Sequence, residues 1–291
     1  MSEVKDVELR KAIQEKDRTL VDPAGREVLV IGDADGLEIA SRFNVDLQHI
    51  YVQALSLQIC PHRYLRNRES ISLEDQLRLT LSQVTVVGAG GLGGHVIHLL
   101  ARIGVGCLVV VDSDCFDETN LNRQIFCTME SVGKPKAQVA TERVKSINPG
   151  VLVQSHWSKM DKTNLPRFLA GSSVVVDGLD NIRDRLVLER GARDAGIPLV
   201  HGALAGFDGQ VMTVFPEDRG LAPVYGEGER AEKDPASPEA VLGVPALMPS
   251  VIATFQCMEV IKILLGRKGI LRNTMLHIGL ATGELNRFRF E

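Results

Sequence analysis

The chain is short of cysteine, of net charge and of any long uninterrupted apolar run. Its five cysteines are Cys60, Cys107, Cys115, Cys127 and Cys257, and no two of them form a CxxC pair. Neither a zinc site nor a disulfide framework is indicated, and a reducing, cytoplasmic setting fits. The 33 Lys and Arg against 37 Asp and Glu leave a net charge of −4. That balance gives no sign of a nucleic-acid partner, and no basic–aromatic array appears. The longest apolar segment, Ala246 to Leu265, is interrupted by Pro249, Gln256, Glu259 and Lys262, so it reads as a buried helix and not a membrane span. The first residues, Met1 to Asp6, lack the apolar core of a signal peptide. Internal repeats and low-complexity tracts are absent too. What is present is a 291-residue chain, 44% hydrophobic. That suffices for a full core in one large domain, or in one domain plus an appendage.

The stretch from Val84 to Gln124 organises the rest. A short β-branched run, Val84 to Val87, leads into Gly88-Ala89-Gly90-Gly91-Leu92-Gly93, and an apolar helix pattern follows to about Ile103. A second apolar run, Cys107 to Val111, ends in Asp112. Strand, glycine turn, helix, strand, acid is the order that seats a nucleotide's phosphates on a helix N-terminus and its ribose on a carboxylate. A dinucleotide such as NAD would need no more than this. Here Asp112 opens a dense polar box with Asp114, Asp117, Asn120, Asn122, Arg123 and Gln124, and Lys134 and Lys136 follow. Taken singly, each of these suits a solvated loop. As a set beside a phosphate turn they suit phosphoryl or nucleotidyl chemistry, in which departing charge must be neutralised.

Further along, Pro135 is expected at the first position of a helix running to about Ile147, stopped by Asn148-Pro149-Gly150. Val151 to His156 reads as a strand and Thr163 to Leu169 as a helix. Ser173 to Asp177 is apolar throughout, as a parallel strand covered on both faces should be. It ends in Asp177-Gly178-Leu179-Asp180-Asn181, with Asp180 also placed to cap the helix beginning near Ile182. Pro198 to Gly202 is another buried strand. The runs Gly209 to Phe215, Met275 to Ile278 and Glu284 to Phe290 suggest a mixed or antiparallel extension. The Glu-, Pro- and Gly-containing segment from Pro216 to Gly243 is long enough to be functional, disordered or both. His95 and His98 have no visible third metal ligand and read as helix-face residues.

Residues 1–62 stand apart. A charged helix candidate, Val4 to Arg18, precedes a turn at Asp22 to Gly25, a strand at Glu27 to Ile31 and a helix at Leu37 to Phe43. Gly32-Asp33-Ala34-Asp35-Gly36 lacks the remaining ligands of a calcium loop and reads as a plain turn.

The ordered motifs GAGGLG, VVDSD, TNLNRQ, VGKPKA and DGLDN resemble those of the ThiF/MoeB/HesA adenylyltransferases, bacterial relatives of the ubiquitin-activating enzymes. The resemblance runs from about Arg63 to the C-terminus. It implies a doubly wound, mostly parallel Rossmann-like α/β domain over 63–291, with an antiparallel C-terminal extension and a small N-terminal appendage over 1–62. It also implies use of ATP and Mg2+ to adenylate the C-terminal glycine of a ubiquitin-like sulfur carrier ending in Gly-Gly, of the thiamin or molybdopterin/tungstopterin type. Gly88, Gly90, Gly91, Gly93 and Asp112 would bind the nucleotide, with Asn120, Arg123, Gln124, Lys136, Asp180 and Asn181. Arg123, Lys136 and Asp180 would be catalytic, Asp180 handling magnesium and the departing pyrophosphate. Arg63-Tyr64-Leu65-Arg66-Asn67 resembles the RYxRQ box, with Asn67 in place of Gln. Through it Arg66 would reach the ATP site of a partner subunit in a homodimer.

The chain departs from its relatives in two places. Many carry two CxxC pairs holding zinc, whereas here the first stretch reads Leu221-Ala222-Pro223-Val224-Tyr225-Gly226; a zinc-less variant is expected. Members that bond covalently to their carrier need a cysteine in the crossover loop, and none lies between Cys127 and Cys257. Adenylation without a thioester step follows. Two other readings stay open: a relative that activates a small or tRNA-linked carboxylate, and a nucleotide-binding relative that has lost catalysis. An NAD oxidoreductase is more distant.

Overall fold

The computed structural model describes residues 3–226 and 235–290. An N-terminal body comes first: α1 (Glu3–Lys16), β1 (Arg18–Val21), β2 (Glu27–Ile31), α2 (Asp33–Phe43), α3 (Leu47–Ser56) and β3 (Cys60–Pro61). Its three strands pair in the order β1-β2-β3, over a core of Leu9, Ile13, Val30, Ile39, Phe43, Ile50 and Tyr51. A 3-10 turn, His62–Asn67, leads out of it into α4 (Leu73–Leu81), which is capped by Ser72.

The apolar runs of the larger body then pair side by side. In chain order they are β4 (Gln83–Val87), α5 (Gly91–Ile103), β5 (Cys107–Asp112), α6 (Lys136–Ile147), β6 (Leu152–Trp157), α7 (Leu165–Leu169), β7 (Val174–Asp177), α8 (Ile182–Asp194), β8 (Leu199–Ala205) and β9 (Asp208–Val214). The short helices α9 (Ala222–Tyr225) and α10 (Pro238–Leu242) precede α11 (Leu247–Leu264), β10 (Thr274–Gly279) and β11 (Glu284–Arg289). The eight strands run β11-β10-β9-β8-β7-β4-β5-β6. Pairing is parallel from β8 to β6 and antiparallel from β8 through β9 and β10 to β11. This is the expected doubly wound sheet with its antiparallel extension.

Strand residues alternate between two cores. Val84, Val86, Leu108, Val110, Val174 and Val176 face α5, α6 and α11, while Val87, Val109, Val111 and Val175 face α7 and α8. The chain winds outward from β4 to β6, then returns to place β7 on the other side of β4. That reversal opens a crevice at the carboxyl ends of β4 and β7. α11 is apolar and long enough to cross a membrane, yet Met248, Ile252, Gln256, Cys257 and Val260 are buried along it against the sheet and α5. Its carboxylate at Glu259 accepts from Thr213 Oγ1 at 2.8 Å and Leu271 N at 2.7 Å, beside Lys262.

Several local expectations change. Asp33 and Asp35 form the first turn of α2 and not a free-standing turn, where acids favour the helix dipole. Pro135 occupies the N-cap of α6, one residue before the helix. Asn181, not Asp180, caps α8 by accepting from Asp184 N at 2.9 Å. β1 and α3 go unassigned from the sequence. The crossover segment contains α9 and α10, and its residues 227–234 lie outside the described part of the chain. The two bodies meet through Arg63, which pairs with Asp33 and donates to Ile147 O at 2.8 Å. Nearby, Gln48 donates to Thr80 O at 2.9 Å and Asn148 Nδ2 to the Tyr64 hydroxyl at 2.8 Å.

Candidate active site

The glycine turn is shaped by backbone crowding. Gly88 has φ +92°, and a Cβ there would lie 2.5 Å from Gly178 O. At Gly93 a Cβ would overlap the Gly88 carbonyl oxygen and lie 2.8 Å from its carbon. Gly90 and Gly91 are roomier, with the Gln124 and Arg123 side chains at 3.5 and 3.6 Å. Gly88 and Gly93 therefore make the turn possible, while Gly90 and Gly91 leave space for something to approach the N-terminus of α5.

That space belongs to a cavity of about 910 Å³ at the switch point. Gly88, Gly90, Gly91, Asp112, Ser158, Lys159 and Met160, from the stretch between β4 and β5 and the loop after β6, line one wall, and Asp180, Arg185, Ala203, Leu204, Glu239 and Ala240, all from beyond β7, supply a second. Arg123, Gln124, Lys136 and Asn181 line it as well. Nine of the residues named from the sequence thus meet around one cavity: Gly88, Gly90, Gly91, Asp112, Arg123, Gln124, Lys136, Asp180 and Asn181. Three do not line it. Gly93 packs behind the turn; Asn120 closes a capping box with Asp117; Arg66 is exposed on the 3-10 turn.

Hydrogen bonds fix the acidic end. Asp112 Oδ2 accepts from Ala89 N at 2.6 Å and Oδ1 from Asp114 N at 2.8 Å, tying the end of β5 to the glycine turn. Burial pushes its carboxyl up, while these donors and Lys136 favour the ionised form. Lys136 is buried, with Nζ 3.0 Å from Asp114 Oδ2, an oxygen on a largely exposed side chain. Arg123 Nη1 rests on Thr119 O at 2.9 Å and Asn122 Oδ1 at 2.8 Å. Gln124 Oε1 is buried without a partner among the described residues, an acceptor left for a ligand donor. The cradle fits a nucleotide triphosphate: open backbone at a helix N-terminus, two cations, and a carboxylate at the end of the second strand. Among the described residues no three metal-capable side chains cluster, so a metal here would take most of its ligands from phosphate oxygens and water, as Mg2+ commonly does.

Sequence reasoning missed a polar group behind the second wall. Asp177, at the end of β7, and His201, within β8, are fully buried, with His201 Nδ1 2.7 Å from Asp177 Oδ2. Arg185, also buried, holds Nε 3.5 Å from the same oxygen, and Tyr225 reaches His201 Nε2 at 3.0 Å. The visible signal was Asp177 at a strand end; nothing in the spacing links it to Arg185, His201 or Tyr225.

Residues 64–291 match the ThiF family. The SAMP-activating enzyme E1 of Haloferax volcanii is 40% identical over 70% of this chain and 75% of its own length. The sulfur carrier protein adenylyltransferase of Thermus thermophilus is 38% identical over 66% and 73%. The probable molybdopterin-synthase adenylyltransferase of Porphyra purpurea is 32% identical over 75%, and there the chain spans only 57% of the relative. Among solved structures, PaaA superimposes with a TM-score of 0.63 at 18% identity, covering 94% of this chain and 98% of that one. Escherichia coli MccB with MccA-N7isoASN gives 0.68 at 19% identity, covering 78% and 72%. These two establish the shared fold alone. The sequence matches, spanning most of the chain from the 3-10 turn onward and including every cavity-lining residue named from the motifs, establish more: the chain belongs to the ThiF family.

Proposed function

We propose that the chain uses ATP to adenylate the C-terminal glycine of a ubiquitin-like sulfur-carrier protein in the cytoplasm. The observation that carries this reading is the single cavity joining the glycine turn, Asp112, Arg123, Lys136 and Asp180. The printed activities of the relatives, sulfur carrier protein adenylyltransferase and SAMP-activating enzyme, support it.

The triphosphate lies on Gly90, Gly91 and the α5 N-terminus, with the ribose against Asp112. A carrier carboxylate oxygen attacks the α-phosphorus. A new P–O bond forms, the bond from that phosphorus to the bridging oxygen breaks, and pyrophosphate leaves with the electron pair. Lys136 exchanges Asp114 for phosphate oxygens, and with Arg123 it neutralises charge that grows on the leaving group. Asn120 holds the loop that presents Arg123. Asp180, assisted by Asn181, would hold Mg2+ on the phosphates, and that ion supplies charge neutralisation. Arg66 completes the site of the neighbouring subunit in a homodimer. With no crossover-loop cysteine, the adenylate is handed to a separate sulfur donor.

ATP–pyrophosphate exchange with purified carriers ending in Gly-Gly tests the proposal, with NAD binding as the control. Wild-type exchange with one such carrier is expected. Lys136→Ala and Arg123→Ala should each lower it by about 10²–10³, the usual loss for one electrostatic contact to the transition state. Exchange near wild type in either variant would remove the assignment of the site.

A further inference from the structure

Most polar atoms of the buried group behind the second wall are hydrogen-bonded, while among the described residues Arg185 Nε has only its 3.5 Å ion-pair contact with Asp177. Asp177 Oδ1 accepts from Leu179 N at 2.9 Å, and its backbone carbonyl accepts from Gln256 Nε2 at 2.9 Å. Its Oδ2 can only accept when ionised, so the proton between it and His201 sits on Nδ1. His201 Nε2 is then an acceptor, and the Tyr225 hydroxyl donates to it at 3.0 Å. The same hydroxyl oxygen accepts from Gln210 Nε2 at 3.0 Å and from Arg185 Nη1 at 3.2 Å. Burial lowers the His201 pKa and keeps the ring neutral, as this arrangement requires.

Arg185 is where the group meets the crossover segment. Its Nη2 donates to Leu179 O at 2.7 Å, one residue from Asp180, and its Nη1 lies 3.7 Å from Glu239 Oε1. Tyr225 belongs to α9 and Glu239 to α10, on opposite sides of residues 227–234. One guanidinium, fixed from below by the sheet, therefore engages both arms of the segment. Arg185 and Glu239 line the cavity with Ala203, Leu204 and Ala240, on elements that follow β7, whereas Asp112 and the glycine turn belong to the stretch from β4 to β5.

We propose that Arg185, held by Asp177 and the Leu179 carbonyl, is a positioning residue for the carrier tail. It holds Tyr225 and Glu239 together, and so sets the cover over the carboxylate end of the cavity. The inference rests on the adenylation reading, since it assigns that end to the carrier's C-terminus. Because the nucleotide end is built by β4, β5 and the loop after β6, loosening the cover should weaken the carrier and spare ATP.

Replacing Arg185 leaves Asp177 buried beside a neutral histidine, and such a variant can fail to fold. Tyr225→Phe and Glu239→Gln avoid that problem. The first keeps the ring stacked edge-on against His201 at 5.5 Å and removes only the hydroxyl; the second removes only the charge. The assay is carrier-adenylate formation, using the Gly-Gly carrier that supports wild-type exchange. Carrier and ATP are titrated in turn, and ATP binding is measured separately by calorimetry. Tyr225→Phe, which removes the hydroxyl's contacts with His201, Gln210 and Arg185, should raise the KM for carrier at least about tenfold. Glu239→Gln should raise it in the same direction. In both, kcat, the KM for ATP and the ATP Kd should stay within about twofold. Joined in one chain, the two changes should cost less than the product of their separate effects, because both act through Arg185. An unchanged carrier KM in both variants beside an active wild type would overturn the positioning role alone. An equal loss of ATP affinity would also overturn it, by making the group a general support of the cavity. A wild type silent with every Gly-Gly carrier would instead remove the adenylation reading, and this inference with it.

Discussion

Gly93 and Gly91 belong to one motif, yet the structure gives them opposite reasons to be glycine, and alanine at each should fail differently. At Gly93 the added Cβ would sit 2.8 Å from the Gly88 carbonyl carbon and overlap its oxygen, against an ordinary carbon–carbon contact of about 3.5 Å. Both partners are backbone, one in the turn and one in the first turn of α5, so neither can rotate away. Overpacking of this kind costs about 1–3 kcal/mol and more where backbone must move; about 3 kcal/mol is a fair figure here. For a chain of this size that lowers Tm by roughly 5–10 °C. At Gly91 the added methyl meets Arg123 Cγ at 3.6 Å, an ordinary contact, at the first position of a 13-residue helix. Alanine there gains about 0.5–1 kcal/mol of helix propensity over glycine, so Tm should hold or rise. Gly91 lines the cavity, and the same methyl would crowd the place proposed for the phosphate oxygens. Losing about one hydrogen bond's worth of contact should weaken ATP about tenfold. Thermal unfolding and calorimetric ATP titration separate the two effects. Equal melting of Gly93→Ala and wild type, or a Gly91→Ala variant that melts early and binds ATP normally, would refute the division of roles.

Other outcomes follow from single features. An Arg66→Ala subunit mixed with an Asp180→Ala subunit should regain exchange that neither shows alone, because one site of the mixed dimer keeps both residues. No recovery despite proven subunit exchange, or an active monomer, would count against action across an interface. His201 is held below its usual pKa, so below about pH 6.5 the unfolded chain takes up a proton that the folded chain refuses. Stability is therefore lost as pH falls through that range. His201→Gln should flatten the decline in Tm between about pH 7 and 5.5, leaving the same-sign share of His95, His98 and His156; an unaltered slope would contradict this. Cys257 is 5% exposed and burial pushes its thiol far up, which makes it a poor nucleophile. A chain with all five cysteines replaced by Ser or Ala should keep pyrophosphate exchange once shown to be folded. Mass spectrometry of the wild-type reaction should find carrier–AMP and no DTT-sensitive enzyme–carrier adduct, and finding such an adduct would sink the adenylation-only route.

The glycine-turn side of the cavity was legible because its information is local. Val84 to Asp112 carries strand, turn and helix periods in immediate succession, and the glycines mark where backbone must approach backbone. The buried group around Arg185 was not, because its parts come from positions 177, 185, 201, 225 and 239, which only the sheet and the returning crossover bring together. Read singly, Arg185 is one of several charges on a helix, and Tyr225 a lone aromatic in a polar loop. Asp180 and Asn181 are adjacent, equally able caps, and sequence does not choose between neighbours at a helix end. The α3 helix is a different case. Leu47, Ile50, Tyr51, Ala54 and Leu55 are spaced for one buried face, and all five are buried; the signal is present but short, and its flanking Asp46 makes no side-chain cap.

Gly88, Gly93 and Gly178 touch one another with no room for a side chain among them, and this contact bears on timing. Gly178 begins the loop that carries Asp180, so the residue assigned to the leaving group is held by the same backbone contact that shapes the seat of the phosphates. Any shift of the turn as a nucleotide settles must be passed on to Asp180, and any pull on Asp180 must be felt by the turn. If the proposed roles hold, one rigid backbone contact would link the seat of the α-phosphate to the residue assigned to the leaving group.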